Sequence, residues 1–332
     1  MIKFIDLFAG IGGFHLAMKQ FQSECVFASE WDGSCKEVYE KNFGIKPKGD
    51  ITIVNEKYIP DHEILFAGFP CQAFSISGKQ KGFNDTRGTL FFDVARIAKY
   101  KKPKVLFLEN VGHFLKHNNG ETFEVIRKTL NEIGYDVRHK ILNASDYGVP
   151  QSRKRIYIIA FRKDLKINNF EFPISNNTSC NLEDILEKET YTDNFLITKY
   201  VPKYSKKIIQ KDIFGNYPNK PIRIGHVNKA GQGERIYSTL GHAISLTAHG
   251  GGVGAKTGLY KVENGYRRLT PRECARVSGF PDNFILHDSK IINYRQFGNT
   301  VVVTVVKEIL QNLIPLVFNA KVYSFEKPKI AS

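Results

Sequence analysis

The 332-residue sequence predicts an α/β fold, a doubly wound, mixed but mostly parallel sheet accompanied by a second, smaller β-rich unit. Two observations carry that prediction. In the first half, short apolar runs alternate with amphipathic stretches, the strand-helix-strand pattern that builds a parallel sheet covered by helices. Beyond Arg162 this pattern gives way to a polar, turn-rich stretch, then to Pro202, Pro218 and Pro221 among lysines, and from Arg223 to Tyr260 to glycine-rich loops with short β-branched pieces.

The strands fall at Lys3 to Phe8, Cys25 to Ser29, Ile64 to Ala67, Val105 to Leu108 and Arg155 to Phe161, most of them ending near a Gly, Pro, Asp, Glu or Asn. Helices are expected from Gly13 to Gln20, Gly33 to Asn42, Leu90 to Lys99 and Thr122 to Ile133. In the last of these, Phe123, Ile126, Leu130 and Ile133 recur at the helical period. Order returns in the tail, with a helix from Pro271 to Ser278 and a strand or helix at Val301 to Leu310. The expected division is 1–185, 186–270, a hinge at 271–298 and a C-terminal return to the first unit at 299–332.

Composition narrows the function. Apolar residues make up 42% and charged residues 24%, ordinary globular usage. No apolar run reaches the roughly 18 residues of a membrane span, and Met1-Ile2-Lys3 leads directly into the first strand, so the expected compartment is the cytoplasm. Five cysteines, at 25, 35, 71, 180 and 274, form no CxxC pair and do not cluster with histidines, which argues against a disulfide framework and against a metal site. Lys and Arg number 48 against 33 Asp and Glu, a net charge of +15 that favours a polyanionic partner. Thirteen of those cations, against three acids, lie between Phe195 and Thr270.

Phe4-Ile5-Asp6-Leu7-Phe8-Ala9-Gly10-Ile11-Gly12-Gly13-Phe14 reads as a strand, a glycine turn and a helix, the place where doubly wound sheets bind ligands. The spacing is not GxGxxG, so the dinucleotide fingerprint is unmet. Glu30, after the second strand, can accept hydrogen bonds from both hydroxyls of a ribose, and Asp50 can accept one from an adenine amine. Trp31, the sole tryptophan, can cover the ribose or the adenine. A nucleoside without phosphate suits this set, which points to an adenosyl cofactor.

Ile64-Leu65-Phe66-Ala67-Gly68-Phe69-Pro70-Cys71-Gln72 carries a strand into a Pro-Cys loop at the same end of the sheet. A cysteine there is a candidate nucleophile if neighbouring cations favour its thiolate. Arg153 and Arg155, alternating in Gln151-Ser152-Arg153-Lys154-Arg155, share a face if extended. Glu109 ends the strand Leu106-Phe107-Leu108, where burial would raise its pKa and let it donate a proton near neutrality. Thiol, acid and arginine pair together suit covalent attack on an electron-poor heterocycle held by its polar edge.

The segments DLFAGIGGF (6–14), GFPCQAFS (68–75), RGTLFFDVARI (87–97), ENV (109–111), QSRKR (151–155), RRLTPRECARVSGFPD (267–282) and QFGNTV (296–301) stand in an order that closely resembles the DNA cytosine-C5 methyltransferase family. The likeness is poor from about Asp164 to Pro221. It implies an S-adenosylmethionine-dependent methyltransferase fold, with S-adenosylhomocysteine as product and no metal. It implies Cys71 as the nucleophile adding to C6 of a cytosine flipped out of double-stranded DNA, Glu109 at N3 and the exocyclic amine, and Arg155 with Arg153 at O2. Cofactor contacts carried over are Phe8, Gly10, Gly13, Glu30, Trp31, Asp50, Ile51, Pro70, Leu90, Asn299 and Val301. Ser75 to Gly82, with Ser77 and Lys79, resembles a loop closing over the DNA. The 186–270 segment corresponds to a target-recognition domain, and 1–185 to a catalytic and cofactor-binding domain. Gln232 and Arg235 are the base-reading candidates, and Tyr237, Ser245, His249 and Gly252 are further DNA contacts.

Within the family the sequence is most similar to GCGC modification enzymes, with Ser245, His249 and Thr300 departing from that pattern. A bacterial modification enzyme, a monomer sharing its site with a restriction endonuclease, is therefore expected. Two rivals remain at the level of sequence: a tRNA cytosine-C5 methyltransferase, whose CFT signature is missing, and a non-catalytic DNA-binding accessory protein. A nicotinamide dehydrogenase lacks its glycine fingerprint here.

Overall fold

The computed structural model describes residues 1–70, 90–175, 180–188, 192–205, 209–213 and 215–318. A six-stranded sheet is built from β1 (Ile2–Leu7), β2 (Ser23–Ser29), β3 (Ile64–Ala67), β4 (Val105–Val111), β5 (Tyr135–Asn143) and β6 (Lys154–Arg162), in the order β2-β1-β3-β4-β6-β5. The pairs β1/β2, β1/β3 and β3/β4 are parallel, and β6 runs antiparallel to both β4 and β5. The sheet is thus mixed and mostly parallel, as the sequence predicts.

Its strands are buried on both sides because alternate residues feed two apolar clusters. Phe4, Phe66, Phe107, Tyr157 and Ile159 pack with α1 (Gly13–Met18), α2 (Gly33–Phe43) and α7 (Val303–Phe318). Ile5, Leu7, Leu65, Leu106, Ile156 and Ile158 pack on the other face with α3 (Leu90–Lys101) and α4 (Glu121–Glu132). The predicted helices all form within a few residues of their expected ends.

Two elements escape the sequence pattern. Strand β5 holds the edge of the sheet, with His139, Lys140 and Ile141 exposed, so it lacks an apolar run that would mark it. Helix α6 (Lys290–Asn299) lies in the segment expected to be a hinge, which also contains α5 (Pro271–Val277). The tail at Val301 to Leu310, open to strand or helix by sequence, is helical from Val303 as α7. Together Lys290–Phe318 are long and apolar enough to cross a membrane, contrary to the count by uninterrupted runs. Val303, Val306, Leu310 and Leu313 are instead buried in the cluster against the sheet, the setting of a core helix.

A second sheet contains β7 (Lys203–Tyr204), β8 (Arg223–His226), β9 (Arg235–Ser238), β10 (Leu259–Val262) and β11 (Gly265–Arg267), in the order β11-β10-β9-β8-β7. Only β9/β10 is parallel among its pairs. It has a small core of Val227, Ile236, Leu259 and Tyr266, yet Tyr237 and Tyr260 belong to the same cluster as the first sheet. Where β11 meets α5, the buried Arg267 donates two hydrogen bonds to the carboxylate of Glu273, at 2.7 and 2.8 Å. Glu273 also accepts from the backbone of Thr270 and Glu187, so both of its oxygens are hydrogen-bonded.

Candidate active site

The C-terminal ends of β1, β2, β3 and β4 open into a cleft of about 690 Å³. It sits where the chain's course reverses, β1 being flanked by β2 on one side and β3 on the other. One end is built for a nucleoside. After β1 the chain turns through Phe8 and Gly10, both with a left-handed backbone (φ 54° each), an uncommon conformation for an aromatic residue. Glu30 stands beside this turn: its Oε2 accepts from the Gly10 amide at 2.8 Å and its Oε1 from the Asp32 amide at 2.9 Å. Each oxygen keeps a further lone pair for a ligand hydroxyl.

Burial raises the pKa of Glu30, with the backbone hydrogen bonds opposing. Asp50 caps the turn at Ile51, accepting from the Thr52 amide at 2.9 Å. Trp31 is 83% exposed on the rim. Phe8, Gly10, Glu30, Trp31, Asp50, Ile51, Pro70, Leu90 and Asn299 all line the cleft. A diol acceptor, a second carboxylate and an aromatic side chain around a glycine turn fit an adenosyl group. Gly13 and Val301 meet each other instead: a side chain on Gly13 would come within 2.6 Å of Val301 Cγ2, so this glycine makes room for the returning tail.

At the other end β4 supplies Glu109 and Asn110. Glu109 is only 7% exposed, and its Oε1 lies 3.1 Å from Nε of Arg155 across the β4/β6 pair. Burial raises its pKa, outweighing the charges of Arg155 and Arg153. Asn110 donates to the carbonyl of Phe69 at 3.0 Å, anchoring the chain just before Pro70. Arg153 differs from the expectation of a paired substrate clamp. Its Nη1 donates to the carbonyl of Leu246 at 2.8 Å, and its Nη2 donates to those of Gly298 and Thr300 at 3.0 and 2.9 Å. It lines the cleft, but as a tie between β6, the 246 loop and the tail. Cys71, Ser77 and Lys79 lie outside the described residues.

The second sheet approaches the same cleft through His249. Gln232 is exposed in the short turn Gln232–Glu234, and Arg235 opens β9 half-buried. The turn packs backbone to backbone on the Gly250-Gly251-Gly252 loop: Gly254 donates to the carbonyl of Gly233 at 2.6 Å, and a side chain on Gly233 would overlap the carbonyl of Gly251. Gly252 is exposed there with φ 88°, and Ser245 is half-buried beside Leu246. Tyr237 is 7% exposed and packs on Tyr260.

The cleft also gathers Asp32, Asn110, Arg295, Gln296, Gly298 and Thr300, which carry no site role in the sequence reading. The signal for Arg295 and Gln296 was their spacing before Asn299, one helical turn, which a hinge assignment hides. Among the described residues no three His, Cys, Asp or Glu side chains gather as a metal site.

The fold and cleft define an α/β protein with a ligand cleft at the C-terminal ends of its strands, Glu30 at one end and the Glu109–Arg155 pair at the other. The C-5 cytosine-specific DNA methylase family matches residues 2–315. The chain is 54% identical to the type II methyltransferase M.HhaI of Haemophilus parahaemolyticus over 312 residues, 94% of each chain. It is 42% identical to M.HpaII of Haemophilus parainfluenzae, covering 93% of this chain and 89% of that one. Dnmt2 of Schizosaccharomyces pombe shares the fold, with a TM-score of 0.71 at 22% identity over 96% of this chain and all of the other. The protein belongs to the C-5 cytosine DNA methyltransferase family and is an enzyme of that class.

Proposed function

We propose that this enzyme methylates C5 of a cytosine flipped from double-stranded DNA at one short sequence, as the modification component of a bacterial type II restriction-modification system. GCGC is the first candidate site, on the strength of the similarity to M.HhaI. The observation that carries the reading is that Glu30 and the Glu109–Arg155 pair line one cleft. In this reading residues 1–185 form the catalytic domain, 186–270 the target-recognition domain and 299–332 the return of the tail. The monomer acts in the bacterial cytoplasm and needs no contact with the nuclease that shares its site.

S-adenosylmethionine, when bound, supplies an electrophilic methyl carbon, and Glu30, Trp31, Asp50 and Asn299 would hold it. The Cys71 thiolate adds to C6 of the cytosine, and Glu109 shares its proton with N3, so that the C5–C6 electron pair is freed at C5. Arg155 holds O2 and balances the charge developing on the ring. Once C5 carries the methyl group, loss of its proton to solvent restores the C5–C6 double bond and expels Cys71 as the thiolate. Burial keeps Glu109 protonated further up the pH scale than an ordinary carboxyl, which suits it to the N3 role.

The experiment is adduct trapping, in the presence of S-adenosylmethionine, on a GCGC duplex carrying 5-fluorocytosine, where the leaving proton is absent. The wild type should form a denaturation-resistant protein–DNA adduct and Cys71→Ser none, although it still binds DNA. Methyl transfer by Cys71→Ser would refute the covalent role.

A further inference from the structure

Arg295 and Gln296 of α6 reach across the cofactor end of the cleft to the first turn of α2. Arg295 Nη2 lies 2.8 Å from Asp32 Oδ2 and donates to Ser34 Oγ at 3.1 Å. Gln296 Nε2 donates to the carbonyl of Ser34 at 3.0 Å. Asp32 is the N-cap of α2, its Oδ1 accepting from the amides of Ser34 and Cys35 at 2.9 and 3.3 Å. Its own amide donates to Glu30 Oε1, and Glu30 Oε2 accepts from Gly10. An unbroken run of polar contacts therefore leads from α6, through Asp32 and Glu30, to the glycine turn.

We propose that Arg295, aided by Gln296, is a positioning residue for the adenosyl cofactor, clasping the first turn of α2 so that the Glu30 carboxylate is presented to the ribose hydroxyls. The inference rests on the assignment of Glu30 to the ribose given above. The exposure of the pair points the same way. The side chains of Arg295 and Asp32 are 42% and 25% exposed, too open for the pair to contribute much to folding. Fixing a ligand-facing carboxylate by the contacts behind it is, in contrast, a strong lever on affinity.

Trp31, the sole tryptophan, sits between Glu30 and Asp32 on the cleft rim, so its fluorescence reports occupancy directly. The test is a fluorescence titration of the full chain with S-adenosylhomocysteine, comparing wild type, Arg295→Met, Arg295→Lys, Asp32→Asn and the Arg295→Met/Asp32→Asn double variant. Asparagine remains a good N-cap, so Asp32→Asn removes the charge without unwinding α2 and carries the test if Arg295→Met does not fold.

Arg295→Met and Asp32→Asn should each weaken binding roughly fivefold to thirtyfold, with partial recovery in Arg295→Lys. The double variant should be no weaker than Arg295→Met, because both changes break one linkage. DNA affinity should be unchanged, and the loss should appear in KM for the cofactor while kcat at saturation is retained. Wild-type affinity in Arg295→Met overturns the clasp, and so do multiplying losses in the double variant, which would mean a direct contact. A wild-type protein that ignores the probe contradicts the cofactor assignment itself.

Discussion

At the scale of single residues, the site depends on where burial overrules charge. Glu109 faces Arg155 at 3.1 Å, a neighbour that should favour its ionised form, yet burial raises its pKa. If the protonated carboxyl serves N3, turnover should be sustained below that raised value and fall as pH climbs through it. Glu109→Gln should reduce kcat roughly a hundredfold or more and remove that alkaline limb. A pH–rate profile of the two proteins checks this, and an unchanged limb in the variant would assign it to another group.

The two arginines of the Gln-Ser-Arg-Lys-Arg run separate in the same way. Arg155 pairs with Glu109, whereas Arg153 spends its donors on the carbonyls of Leu246, Gly298 and Thr300. Removing a buried donor leaves those carbonyls unpaired, so Arg153→Met should cost about 3 kcal/mol or more of stability. Arg155→Met should unfold in urea close to the wild type but lose methyl transfer. Sequence marked both residues as one functional pair, since alternation along a strand fixes a shared face but not what each guanidinium meets.

Among the elements, those with apolar strands buried on both faces were legible. Strands β1, β3 and β6 and helices α2, α3 and α4 appear where alternation and periodicity predict them. Strand β5 was missed because an edge strand exposes His139, Lys140 and Ile141 and needs no apolar run. Helix α6 was missed because its side chains are divided among the cleft, α2 and the segment around α5 rather than forming one apolar stripe, and with it went Arg295 and Gln296. The turn at Gln232 and the loop at Gly251 are joined by close backbone approach at Gly233, a constraint the glycines hint at but cannot locate. Gly233→Ala must force the two apart. The variant should lose discrimination between GCGC and altered sites while S-adenosylhomocysteine still quenches Trp31 as in the wild type, and unchanged site preference would separate this turn from recognition.

Across the whole molecule, charge and core give different divisions. The basic segment from Phe195 to Thr270 stands out in composition, but one apolar cluster contains Tyr157 and Ile159 of the first sheet, Tyr237 and Tyr260 of the second, and Val303 to Ile314 of the tail. Backbone bonds reinforce the join, with Ser152 donating to Ala243 at 2.9 Å and Ala243 donating to Pro150 at 2.7 Å. Sequence could expose the charge boundary because composition is local, whereas the shared core depends on contacts between distant segments. With a net charge of +15, DNA binding should be strongly salt-dependent. If six or more phosphates are neutralised, affinity should fall roughly a thousandfold or more between about 50 and 200 mM salt, as read from binding isotherms.

The most direct test of the central claim is methyl transfer from labelled S-adenosylmethionine to unmethylated duplex DNA and, separately, to tRNA, followed by single-base mapping of the product. C5-methylcytosine confined to one short DNA sequence, with GCGC the expected site, is the predicted result. Label in tRNA alone, or in neither nucleic acid, would contradict it.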